Sequence, residues 1–199
     1  MPDMLTKNEI LYPFGPFDLV TSNHRLGGRE VDVAESKVSL EKQIQLLGAK
    51  AGSGRPDCRD LGDKSGLYLF AIRTPGRNGP IKHFYVGRTV RRGLLKEAFG
   101  PHQKDRYREA LGKSKGTPVT CFIAPPGRKK KLDKRLLADW ERILIYLAYS
   151  RSYEICNTHH VPRAMRIKGV RVLRHQNGTH TRGQSKTISA SDLNRMFGS

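Results

Sequence analysis

The chain predicts a mixed α+β fold, on three observations: two strand-like runs joined by a turn, one long helix with an apolar stripe, and shorter helical segments around them. Ser65 to Arg73 is rich in Leu, Tyr, Phe and Ile, and Lys82 to Val90 carries Phe, Tyr and Val. The segment between them, Thr74-Pro75-Gly76-Arg77-Asn78-Gly79-Pro80, is almost entirely turn residues, which makes the two runs a hairpin. From Leu132 to Ser150, Leu136, Leu137, Trp140, Ile143, Leu144, Leu147 and Ala148 recur at helical spacing. At 199 residues and 37% hydrophobic content, one elaborated domain with a modest core fits and a large second domain does not.

The other elements follow in chain order. Asp32 to Leu47 predicts a helix bearing Val38, Ile44 and Leu47, ended by Gly48, and Ala51 to Pro56 reads as a flexible connection. Residues 1–60 therefore form a helical extension that could clamp DNA, dimerise, or cover one sheet edge, the last being the default for a small open sheet. After the hairpin, Gly93 to Phe99 predicts a short helix, and Ser152 to Cys156 is strand-like. Arg166 to Arg174 alternates as a strand, with Ile167, Val170 and Val172 among basic residues. A Gly/Thr/Ser-rich stretch then leads to a short helix over Ala190–Phe197, capped by Ser189. The division expected is 1–60, a core over 61–160, and a basic extension over 161–199. No internal repeat is visible.

Two groups of residues carry chemistry. Pairing of the strands brings the phenols of Tyr68 and Tyr85 into one region, and the glycines beside them, Gly66 and Gly87, let a bulky ligand approach closely. The alternative is that these aromatics pack a sheet face. On the long helix, Glu141 falls on the apolar stripe between Leu137 and Leu144/Ile145, while Asp139 and Arg142 lie off it. A carboxylate there must be paired, neutralised or bound to a metal. An Arg from another element would satisfy it; so would a hard divalent cation such as Mg²⁺.

Gly66-Leu67-Tyr68 with Tyr85-Val86-Gly87, a later helix bearing Glu141, and Asn157 beyond it together resemble the GIY-YIG endonuclease superfamily, over roughly Lys64 to Thr158. The resemblance implies a central three-stranded antiparallel sheet flanked by helices, and metal-dependent cleavage of a phosphodiester. It implies that Glu141 holds Mg²⁺ or Mn²⁺, that Tyr68 is the base if nearby cations lower its pKa, and that Tyr85 orients water or phosphate. Asn157 would buttress the site, as an amide bonding local backbone or a catalytic side chain, against the alternative of an ordinary turn residue. His102 resembles a histidine of several relatives, set against a merely solvated loop His, and would relay a proton or bind phosphate. One departure stands out. The family carries an arginine on the helix after the second tyrosine, and Gly93–Phe99 has none. Arg88, Arg92 and Arg106 are the candidates for neutralising the phosphate, and Arg88 is favoured because it follows the Tyr-Val-Gly string directly.

Charge points to the same substrate class. Lys and Arg number 37 against 18 acids, a formal +19, so a polyanion is the expected partner. From Arg163 onward there are eight basic residues and one acid, Asp192, and Arg128-Lys129-Lys130-Lys131 precedes the long helix. Arg92, Lys104, Arg106, Arg128, Lys129, Lys130, Arg171 and Arg174 are the expected contacts to double-stranded DNA, although such runs also serve as solvated faces. Three widely spaced cysteines, Cys58, Cys121 and Cys156, support neither a disulfide framework nor a four-thiolate zinc site. Cys156 with His159 and His160 lacks a second ligand pair. With no apolar run of membrane length and no signal-like start, a cytoplasmic protein of prokaryotic or phage origin is expected, without a membrane partner.

Three readings remain: a metal-dependent restriction or phage-defence endonuclease; a structure-specific repair or mobile-element nuclease; and a non-catalytic basic nucleic-acid-binding protein. A palindromic target cut on both strands would favour a homodimer.

Overall fold

The computed structural model describes residues 11–23, 27–49, 60–76, 79–125, 133–151 and 155–157. The expected strand over Arg166–Arg174, the helix over Ala190–Phe197, the connection Ala51–Pro56 and the basic run Arg128–Lys131 lie outside them, as do Arg171, Arg174, Cys58, His159 and His160.

The hairpin forms as its turn chemistry requires. Strand β4, Gly66–Arg73, pairs antiparallel with β5, Ile81–Thr89, with Tyr68 opposite Gly87 and Phe70 opposite Tyr85. A bulge beside Phe70 makes Phe84 the extra residue. Strand β6, Thr117–Ala124, pairs antiparallel with the other side of β4, and β1, Tyr12–Asp18, pairs antiparallel with β6. Among the described residues the sheet thus has four strands, in the order β1-β6-β4-β5. Three were expected; the fourth comes from the N-terminal segment, which covers the free edge of β6 and so is not purely helical. Between Phe14 and Phe17 the β1 register shifts, and Gly15 takes φ +106° there, a conformation open to Gly at no steric cost. A second, two-stranded sheet pairs β2, Thr21–Asn23, with β3, Arg29–Val31.

Among the described residues, four α-helices complete the fold: α1, Val33–Ala49; α2, Leu94–Ala98; α3, Pro101–Lys113; and α4, Lys134–Arg151. Helix α1 runs past Gly48, which does not stop it. Side-chain alternation along the strands sorts the core into two layers. On one face, Tyr68, Phe70, Ile72 and Phe122 pack with residues of α1, α2 and α3; on the other, Leu67, Leu69, Val86 and Ile123 pack with Leu137, Leu144, Ile145 and Ala148 of α4. The core is therefore a sheet sandwiched between α4 and three shorter helices. Among the described residues no helix is long and apolar enough to cross a membrane.

Candidate functional site around the edge strand

Strand β5 is the outer strand of the large sheet; it carries Tyr85 and Arg88, and Glu141 and Asn157 bond to it. Glu141 sits on the inner stripe of α4 as its spacing requires, with a side chain 12% exposed. Its carboxylate Oε2 lies 2.8 Å from the Nε of Arg88, whose Nη1 donates to the backbone oxygen of Lys134 at 3.3 Å. Arg88 is opposite Leu67 and so faces α4. Burial pushes the Glu141 carboxyl above its ordinary range, and Arg88 pulls it back.

Tyr68 and Tyr85 point to the other face of the sheet, their ring centroids 6.0 Å apart. Tyr68 is 1% exposed, and its hydroxyl accepts a hydrogen bond from Nε2 of Gln103 at 2.9 Å. Its pKa rises far above that of a free phenol, because burial disfavours the phenolate and Tyr85 adds to the effect. That is opposite to the lowering a base at this position requires. Tyr85 is half-buried, and its pKa is also raised by burial; the nearby Tyr68 hydroxyl acts the other way, Glu141 raises it further and Arg106 lowers it. Tyr85 is thus the less enclosed of the two phenols.

The glycines do not admit a ligand. A Cβ on Gly87 would overlap the Cζ and hydroxyl of Tyr68, whose ring lies across it, and a Cβ on Gly66 would overlap the carbonyl of Ile123. Their role is to let the hairpin close on its own side chains and on β6.

Asn157 acts over long range instead of forming a local turn. Its Oδ1 accepts from the Val86 N–H at 2.8 Å and its Nδ2 donates to the Val86 oxygen at 2.6 Å, while the Cys156 N–H donates to Phe84 O at 2.6 Å. One side-chain amide thereby satisfies both polar groups of a residue on the open edge of β5, as a neighbouring strand would. Ile155 and Cys156, the described part of the expected strand, form no regular strand but dock on this edge.

The three candidate arginines separate. Arg88 is engaged by Glu141. Arg92 is 70% exposed and 4.0 Å from Glu97. Arg106, on α3, donates from Nη1 to Cys156 O at 2.7 Å and acts on Tyr85. An arginine on a helix after the second tyrosine therefore exists, one helix later than the stretch in which it was sought. His102 is not in a loop: it is the second residue of α3, and exposed. Lys104 lines an open groove of about 550 Å³ with Ser22, Glu30, Asp32 and Lys37, none of them a site residue. Cys121 and Cys156 are buried thiols, neither of them in a disulfide.

Among the buried polar residues that the sequence reading did not single out are Gln103 and Lys64. Gln103 lies on the inner stripe of α3 with Tyr107, Ala110 and Leu111, and Gly100-Pro101 ahead of it was a helix-start signal. Lys64, fully buried, donates from Nζ to Pro125 O at 3.2 Å, and nothing in its local sequence announces that contact.

As a cation site the arrangement offers one carboxylate, that of Glu141. Among the described residues no three His, Cys, Asp or Glu side chains gather as a closed metal cage. Mg²⁺ accepts one carboxylate when phosphate oxygens and water complete its shell, and Glu141, partly exposed beside a guanidinium, fits that open kind of site. No protein-family model, curated protein or solved structure matches the chain.

Proposed function

We propose that this chain is a metal-dependent DNA endonuclease of the GIY-YIG type, hydrolysing phosphodiester bonds in double-stranded DNA, with restriction or phage defence as its setting. The observation that carries the proposal is the meeting of Arg88 and Glu141 at 2.8 Å beside the edge strand that also bears Tyr85. A phosphodiester repels nucleophiles and has a poor leaving group, so a catalyst must neutralise, position and protect.

Arg88, on the α4 face of the edge strand, and Arg106, on α3, supply fixed positive charge, and Asn157 holds the strand that carries Tyr85 and Arg88 in register. With its pKa raised, Tyr85 remains a phenol near neutral pH and acts as a hydrogen-bond donor to a phosphate oxygen or the attacking water. Tyr68 supports Tyr85 from beneath and is not the base. Glu141 would hold Mg²⁺ or Mn²⁺, which when bound supplies Lewis-acid polarisation of a phosphate oxygen.

A second reading has its own support. The Arg88–Glu141 ion pair and the enclosure of Tyr68 also suit a non-catalytic nucleic-acid-binding protein in which these groups pack the fold. Incubating supercoiled plasmid with the chain, with and without Mg²⁺, separates the two. Cutting is expected from the wild type, and loss of cutting with retained binding from Glu141→Gln and from Tyr85→Phe. A wild type inert on duplex, branched and single-stranded DNA alike would discard the enzyme. Mapped product ends then distinguish restriction, with one short sequence at every end, from repair, with ends scattered or at junctions.

A further inference from the structure

Arg88 and Glu141 hold each other with unequal freedom. Glu141 stands on the inner stripe of α4, its side chain 12% exposed, and the helix fixes its place. The Arg88 side chain, 29% exposed, leaves β5 on the same face of the sheet and spans two acceptors, with Nε 2.8 Å from Glu141 Oε2 and Nη1 3.3 Å from the backbone oxygen of Lys134. Of the two, the arginine has the room to turn. Its guanidinium also matches a phosphodiester, which offers two oxygens to the donor fork. A carboxylate engaged by Arg88 is a poor ligand for a divalent cation, because two positive groups then compete for one negative charge. The competition ends when a phosphate draws Arg88 away. Arg142, the next residue on α4, does not share in the pairing, since its Nη1 is turned to Asp139 Oδ1 at 3.1 Å.

We propose that Arg88 is a positioning residue that withholds the Glu141 carboxylate from a divalent cation until a DNA phosphate takes up the guanidinium, so that cation and DNA bind together. The role of DNA in this coupling rests on the endonuclease reading; the withholding does not. Linkage makes the coupling reciprocal: the factor by which DNA raises cation affinity is the factor by which the cation raises DNA affinity. One arginine thereby serves two anions in turn, the carboxylate of α4 and the phosphate of the substrate.

Mn²⁺ serves as the probe in the full chain at pH 8, with the free ion counted by electron paramagnetic resonance. Without DNA, Arg88→Gln is expected to bind Mn²⁺ about tenfold more tightly than the wild type, and adding Glu141→Gln to the same chain should cancel the gain. Arg142→Gln, which removes an equal but exposed charge, should change the affinity by less than about twofold. In the reciprocal arm, affinity for a duplex that carries a mapped cut is read by fluorescence anisotropy with and without Ca²⁺ in place of Mg²⁺. Ca²⁺ should tighten the wild type about tenfold and Arg88→Gln by less than about threefold. Equal Mn²⁺ affinity in the wild type and Arg88→Gln overturns the withholding, as does a gain that survives Glu141→Gln or is matched by Arg142→Gln. A gain in Mn²⁺ affinity with undiminished Ca²⁺ coupling overturns the part assigned to DNA. A wild type that cuts no DNA removes the endonuclease reading, and the Mn²⁺ comparison still decides whether Arg88 withholds Glu141. Should Arg88→Gln fail to fold, Arg88→Met, similar in length and apolar toward α4, takes its place.

Discussion

Gly87 shows how a motif residue acts by what it lacks. The Tyr68 ring occupies the space of its missing side chain, so Gly87→Ala must push the ring or part the hairpin. We expect a loss of about 1–3 kcal/mol, the usual cost of overpacking a core, measured by denaturant unfolding. Gly112, in α3, is the control, because an added methyl there would meet nothing within 4 Å: Gly112→Ala should stabilise by about 0.5–1 kcal/mol through helix propensity. Equal effects at the two sites would refute the packing account. Glu141 poses a different question at the same scale. Its carboxyl pKa is raised in the fold, so the folded chain holds that proton more tightly than the unfolded one. The sign follows: this contribution to stability is full below the ordinary carboxyl value of 4.5 and is lost as pH rises through the higher folded value. Glu141→Gln should therefore match the wild type in acid and become the more stable of the two toward neutral pH. If the variant is instead less stable at pH 7, the Arg88 pairing outweighs burial. Such a cost on the core stripe is one that the proposed metal-holding role of Glu141 would account for.

At the scale of elements, the exposed edge of β5 is closed by Asn157, in the place where a further strand would pair. Asn157→Ala leaves the N–H and carbonyl of Val86 without their partners, and we expect a loss of about 1–3 kcal/mol with faster amide exchange at Val86 and weaker protection through β5. Unchanged exchange at Val86 would mean that water replaces the amide freely. The same edge explains what could be read in the sequence. The hairpin and α4 were legible because turn chemistry and apolar spacing are local properties, and the spacing alone put Glu141 on the inner stripe. Its partner was not legible: Arg88 reaches it only because β5 and α4 pack together. Likewise α3 was hidden by its polarity, since eight of its thirteen residues are exposed and only Gln103, Tyr107, Ala110 and Leu111 face inward with half-buried Arg106 beside them. Strand β1 was hidden because Pro13, Gly15 and Pro16 interrupt it, and it holds as a strand through pairing with β6. The glycines near the two tyrosines do mark close approaches, but of the protein to itself and not of a ligand, which the sequence reading had expected.

For the whole molecule the deciding quantity is charge. A formal +19 on 199 residues opposes compaction, a cost that the proposed polyanionic partner would offset. Binding that depends on displaced counterions weakens linearly with log salt, with a slope near about −0.9 for each phosphate neutralised. If six or more phosphates are contacted, affinity for a duplex should fall by about 10³ or more between roughly 50 and 200 mM salt, as measured by fluorescence anisotropy. Substitution divides the surface from the site. Arg171→Gln with Arg174→Gln should reduce the slope by about 1.8 if each contacts a phosphate, with the cutting rate of saturated DNA unchanged. Glu141→Gln should do the reverse, leaving the slope as it is and removing the cutting. A flat salt dependence would mean that the charge serves solubility and that the chain is no polyanion binder. A steep one lost in the double arginine variant places grip in the basic C-terminal segment and leaves the chemistry to the edge of β5.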